Sequence, residues 1–154
     1  MELIEKLGVL IPAAQTASAE VDEAAAAWLG LNRTDLRCLG MIIQSGPIAA
    51  KDLAEGIKLT RSATTTVLDR LERAGFVVRT ADPADRRGIR VEATHSAREA
   101  IDKLWQPLGA AGLGVLAKYH DEELEVLIRF FEEYAALQRS HSQTIRALPP
   151  RLDA

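Results

Sequence analysis

A single cysteine, Cys38, leaves this 154-residue chain no partner for an internal disulfide. A disulfide scaffold is excluded, and a reducing, cytoplasmic setting is expected. Aromatic residues are scarce at 5%, while alanine is abundant, a balance that favours helices because alanine loses no side-chain entropy in them. No stretch approaches the ~20 apolar residues needed to span a bilayer. The short apolar run in MELIEKLGVLIPAAQ follows Glu2 and Glu5, where a secretory signal would carry positive charge, so it reads as helix. Glycine-rich phosphate loops and nucleophile elbows are lacking. The three histidines, His95, His120 and His141, stand too far apart for a metal-ligand spacing. These absences argue against an enzyme, a metal site and a bound cofactor.

What is present suits one soluble globular domain: 47% hydrophobic and 27% charged residues in a chain long enough to bury its own core. The net charge of −3 argues at first against a polyanionic partner. Its distribution reverses that. Between Lys58 and Arg90 lie eight basic residues (Lys58, Arg61, Arg70, Arg73, Arg79, Arg86, Arg87 and Arg90) against four acids, Asp69, Glu72, Asp82 and Asp85. The remainder carries eleven basic and eighteen acidic residues. Local sign decides where a polyanion docks.

Along the chain, residues 2–29 read as helical, in one piece or in two divided at Pro12, and Gly30 ends the segment. A helix over 33–44 follows, capped by Asn32 or Thr34, with Leu36, Leu39, Ile42 and Ile43 as its apolar stripe. Ser45-Gly46-Pro47 stops it. Ala49–Gly56 reads as a short helix and Ile57-Lys58-Leu59 as a tight connection. Thr60 can cap a helix to about Ala74, with Gly75 as its stop and Ala63 or Thr64, Val67, Leu68 and Leu71 facing inward. Phe76–Arg79 then reads as a strand, Ala81–Asp85 as a turn and Ile89–Glu92 as the return strand. Thr94 or Ser96 opens a further helix towards Tyr119, with a kink or break expected near Pro107. Asp121 is expected to cap the last helix, whose face carries Leu124, Leu127, Ile128 and Phe131; Pro149-Pro150 ends the order.

A short helix, a tight turn, a second helix and a basic hairpin make a winged helix-turn-helix. The fold class expected is mainly α with a small β-hairpin wing. Residues 31–94 form the DNA-binding lobe, 1–30 and 95–148 form helical dimerisation segments, and 149–154 form a tail. In the Thr60–Gly75 helix, the inward stripe leaves Arg61, Ser62, Thr65, Thr66, Asp69, Arg70 and Arg73 on or near the outer face. Such a helix reads base edges in the major groove, mostly from its N-terminal half. Arg61 can take a guanine edge with two hydrogen bonds, and hydroxyls suit phosphates or either kind of base. At the hairpin tip, Arg86 and Arg87 suit the negative potential of a narrow minor groove, and Asp85 can orient a neighbouring arginine.

Three stretches resemble the multiple-antibiotic-resistance regulator (MarR) family: LNRTDLRCL at 31–39, KDLAEGIKLTRSATTTVLDRLERAGFVVR at 51–79, and DPADRRGIRVEAT at 82–94. The resemblance covers about 60 central residues and implies a two-fold dimer with interlocked terminal helices, bound to a pseudo-palindromic DNA site. It implies that Arg61, Ser62, Thr65 and Thr66 face the major groove and that Arg87 enters the minor groove. Thr64 stands where the family often has a buried aliphatic residue, and Thr66 where a longer basic residue is common. His95-Ser96-Ala97-Arg98 replaces a frequent Pro and Gly.

The function expected is a sequence-specific transcriptional regulator, a ligand- or stress-responsive repressor, partnered by double-stranded DNA, a second copy of itself and a small-molecule effector, with no membrane partner. The alternative is a winged-helix protein-interaction module, which the acidic net charge and the short Thr66 favour slightly. Cys38, between Leu36 and Leu39, reads as a buried, inert thiol. Trp28 and Trp105 read as core, although relatives bind aromatic acids between the dimer helices and the DNA-binding part.

Overall fold

The computed structural model describes residues 1–83 and 85–149, except for the side chains of Arg86 and Arg87. Among the described residues, six helices and three strands follow in the order α1 (Glu2–Leu29), α2 (Arg33–Ser45), β1 (Ile48–Ala49), α3 (Ala50–Ile57), α4 (Arg61–Arg73), β2 (Val77–Asp82), β3 (Asp85–Ala93), α5 (His95–Leu116) and α6 (Asp121–Ala147). Two compact units result, Met1–Trp105 and the part from Gln106 onward, so α1 shares a unit with the winged lobe.

Local chemistry sets the boundaries of the helices. The Asn32 side chain accepts from the Asp35 amide at 2.9 Å and starts α2. Thr60 Oγ1 accepts from the Ala63 amide at 3.2 Å and starts α4. Gly30 and Gly75, at φ of 67° and 76°, close α1 and the α4 corner in the left-handed region that glycine occupies without a Cβ penalty. Lys58 takes the same region at φ 62° in the turn between α3 and α4.

The core of the first unit lies where α2, α3, α4 and the sheet meet. Cys38, Leu39, Ile42, Leu53, Val67, Leu68, Leu71, Val77 and Val91 are all buried there. A smaller cluster joins Ala25 and Ala26 of α1 to Leu36, flanked by Leu29, Ile101, Leu104 and Trp105. Small alanines let α1 approach closely at this point.

Several boundaries differ from those read in the sequence. Pro12 and Pro107 both lie inside uninterrupted helices, so neither the division of α1 nor the break in α5 occurs. Each proline forfeits one backbone bond, and both stand at exposed positions. The wing strands are longer than their apolar runs because backbone pairing extends through Thr80↔Arg90 and Ala81↔Ile89. Strand β1 was not expected. It pairs Ile48 with Val91 and Ala49 with Arg90, giving the antiparallel order β1-β3-β2. It also shifts α3 one residue onward, because Ala49 is spent in the sheet. His120 rather than Asp121 is the N-cap of α6, since the Glu123 carboxylate accepts from the His120 amide at 2.8 Å.

Candidate nucleic-acid interface

The sequence of α4 divides it by chemistry. Its inner stripe of Thr64, Val67, Leu68 and Leu71 is buried, as the helical period requires. On the N-terminal half, Arg61, Ser62, Thr65 and Thr66 are all exposed. Thr65 Oγ1 donates to the Arg61 carbonyl at 3.0 Å, and Thr66 Oγ1 to the Ser62 carbonyl at 3.1 Å. Both hydroxyls are folded back along the helix, which turns hydroxyl lone pairs and methyl groups to the outside. Thr64 does the same from inside, donating to the Thr60 carbonyl at 3.0 Å, which is how a hydroxyl occupies a site 3% exposed.

The C-terminal half of α4 is tied down from two sides. Arg70 Nη2 and Nε donate to Oδ1 and Oδ2 of Asp35 at 2.6 and 2.8 Å. Asp35 is 2% exposed. Its Oδ2 also accepts from Asn32 Nδ2 at 2.9 Å. These bonds keep the Arg70 guanidinium protonated even beyond its ordinary range. From the sheet, Arg79 Nη2 donates to Asp69 Oδ1 at 2.6 Å, and its Nε lies 3.4 Å from a Glu72 carboxylate oxygen. The half of the helix that reaches outward is therefore the half with no such ties among the described contacts.

Strand β3 carries the wing back to the lobe. Arg90 Nη2 donates to the Pro47 carbonyl at 2.7 Å, which fixes β1 against it. Asp85 is exposed at the start of β3. The Arg86 and Arg87 side chains, both expected as DNA contacts, lie outside the described residues.

A cavity of about 340 Å³ opens beside α2, lined by Asp22, Arg33, Leu36, Arg37, Gly40, Ile101 and Trp105. Trp105 is half-buried against the small α1 cluster, in line with the sequence reading. Trp28 is not core. It is 55% exposed, and Lys103 Nζ sits 5.2 Å from its ring centroid. The α1 surface that turns inward here is the one bearing Ala25, Ala26 and Leu29, which leaves Trp28 on the outside. Cys38 is buried, and its thiol is pushed up from 9.0 to about 11, first by burial and then by the Asp35 carboxylate. No helix among the described residues is long and apolar enough to cross a membrane.

Residues 31–89 match the model of the MarR family. The uncharacterized HTH-type transcriptional regulator YcgE of Bacillus subtilis is 30% identical over 146 residues, covering 95% of this chain and 90% of its own. The chain belongs to the MarR family. It is a DNA-binding transcriptional regulator with a winged helix-turn-helix lobe, and it is not an enzyme. Two solved structures share the fold of this MarR-family chain. The multiple antibiotic-resistance repressor of Listeria monocytogenes has a TM-score of 0.61 at 24% identity, covering 90% of this chain and 96% of that one. NadR, solved in complex with 4-hydroxyphenylacetate, has a TM-score of 0.62 at 19% identity, covering 84% and 92%.

In this MarR-family regulator, Thr60, Arg61, Ser62, Thr65 and Thr66 come together on one turn and a half of helix, as their spacing implied. Arg70 stands apart from them, engaged by Asp35. The sequence reading passed over Asp35 itself. Its signal was available: Asp35 stands three, four and seven residues before Cys38, Leu39 and Ile42, so it is a charge on a buried stripe. Such a charge requires a partner.

Proposed function

We propose that this regulator binds a pseudo-palindromic operator as a homodimer and releases it on binding a small effector. Each protomer offers Arg61, Ser62, Thr65 and Thr66 to the major groove and the wing, with Arg86 and Arg87 beside Asp85, to the minor groove. The observation that carries this reading is the exposed N-terminal half of α4 above a C-terminal half held by Asp35 and Arg79. A recognition helix is presented in this way, rigid at its base and free at its reading end.

Exposed apolar residues on the terminal helices support the dimer. On α1 these are Leu3, Ile4, Leu7 and Leu10; on α6 they are Ile128, Phe131 and Leu137. A protein working in the cytoplasm as a monomer would leave these faces in water. Residues 1–30 and 95–148 are the segments we assign to that association. The cavity beside α2 supports the effector: Arg33 and Arg37 supply positive charge and Trp105 an aromatic wall. That chemistry fits an aromatic carboxylate of the class bound by NadR.

Fluorescence anisotropy against labelled DNA from upstream of its own coding region, at two salt concentrations and with a scrambled duplex alongside, tests the reading. Preference for the native sequence that falls steeply with salt is expected. Equal, weak binding to both duplexes, with none preferred in selection from a random library, would overturn it.

A further inference from the structure

We propose that Asp35 and Arg70 form a positioning pair for DNA reading, in which Arg70 acts on operator affinity by fixing how α4 lies on α2 and makes no phosphate contact. The proposal rests on the reading of α4 as the helix that enters the major groove.

Three observations carry it. First, the pair is two-pronged, with Nη2 on Oδ1 at 2.6 Å and Nε on Oδ2 at 2.8 Å. A planar fork on a planar carboxylate fixes direction as well as distance, which a single ammonium contact does not. Second, the carboxylate is itself held. Asn32 Nδ2 donates to Oδ2 at 2.9 Å, while Asn32 Oδ1 accepts from the Asp35 amide at 2.9 Å. The residue that caps α2 thus orients the acid that grips α4. Third, Asp35 is 2% exposed. Were Arg70 to swing out to a phosphate, it would abandon a buried carboxylate, so the competition favours the inward pose.

Position along the helix gives the pair its leverage. Arg70 lies four residues beyond Thr66, one turn away on the same side, and nine beyond Arg61. A tilt of α4 about this anchor displaces Arg61 and Ser62 in proportion to the length of helix between them. Base-edge hydrogen bonds do not tolerate such a displacement, whereas contacts to a uniform phosphate backbone do.

The test uses the full chain and a duplex that the wild type selects from a random library. Arg70→Gln, Asp35→Asn and the double variant are measured by anisotropy across a salt series, after a thermal melt confirms each is folded at the assay temperature. Each single variant is expected to lose roughly tenfold in affinity for the selected duplex, with little change for a scrambled one. The double variant is expected to be no weaker than the weaker single, because the two side chains act as a unit. The slope of log K against log salt should match that of the wild type. A slope flattened by about one for each arginine removed would make Arg70 a phosphate contact and overturn the proposal. Unchanged affinity in folded variants would overturn it too, leaving the pair a staple of stability alone. If Arg70→Gln does not fold, Arg70→Lys serves. It keeps the charge but not the fork, so positioning demands a loss of affinity and phosphate contact demands near-wild-type binding. Arg61→Gln checks α4 separately. If that variant retains full preference for the selected duplex, the underlying reading of α4 fails rather than the pair.

Discussion

Arg79 Nη2 donates to Asp69 Oδ1 across 2.6 Å and joins the first wing strand to the second half of α4. The two partners are unequal. The Arg79 side chain is 20% exposed, and that of Asp69 is 50% exposed. Asp69→Ala removes a screened, half-exposed charge and is expected to cost under about 1 kcal/mol. Arg79→Ala removes the same ion pair, the Glu72 contact and a packed aliphatic stem, and is expected to cost roughly 1–2 kcal/mol. Urea unfolding at low and high salt separates the contributions, since only the ionic part responds to salt. Equal costs for the two variants would show that the stem contributes nothing.

The Asp35–Arg70 pair predicts an asymmetry of a different kind. Arg70→Ala strands a carboxylate that is 2% exposed and is expected to cost about 3 kcal/mol. Asp35→Ala leaves a guanidinium whose side chain is 39% exposed and can turn to water, so it is expected to cost only about 1–2 kcal/mol. Chemical denaturation gives both values. A larger cost for Asp35→Ala would mean that the carboxylate's bonds to Asn32, not its ion pair, dominate.

Much of the architecture was legible because it follows from period and punctuation. The α4 stripe, its Thr60 cap and the Gly75 stop are local signals, and each falls where the spacing placed it. Local reading failed where a distant partner decides. Strand β1 is two residues long and has no period of its own; it exists because β3 offers Val91 and Arg90 to pair with. Trp28 was misplaced because the identity of a residue does not reveal which side of α1 meets the Ala25–Leu36 cluster. For the proposed DNA-reading surface, the sequence nominates Arg61, Arg70, Arg86 and Arg87 alike, and only the fold shows Arg70 directed at Asp35. Charge in a sequence counts ions without saying which of them are already paired.

At the wing, Gly88 allows a close approach that a larger residue would obstruct. A Cβ placed there would lie 3.0 Å from the Cβ atoms of both Asp82 and Asp85. Those atoms are fixed to the backbone of the turn, so relief requires the hairpin itself to shift. Gly88→Ala is expected to cost roughly 1–2 kcal/mol by overpacking and to change amide chemical shifts in β2 and β3 while those in α2 stay in place. Unperturbed wing resonances would show that the turn absorbs the methyl group without moving.

Cys38 gives a prediction in pH. Its thiol is held up to about 11 in the folded chain, against an ordinary value of 9.0, by burial and by the neighbouring Asp35 carboxylate. Below pH 9 the thiol is protonated in both states and adds nothing to the slope of stability with pH. Between about pH 9 and 11 the unfolded chain releases this proton while the folded chain retains it. Folding then requires proton uptake, and stability falls as pH rises. Cys38→Ala removes this contribution while leaving the lysine and tyrosine titrations that both proteins share. The wild type is therefore expected to lose stability more steeply than Cys38→Ala across that interval, and in parallel with it below pH 9. The same burial makes the thiol unreactive at pH 8, so an aromatic disulfide reagent should label it only at the rate of unfolding. Parallel stability curves up to pH 11, or labelling as fast as a free thiol, would place Cys38 in contact with solvent.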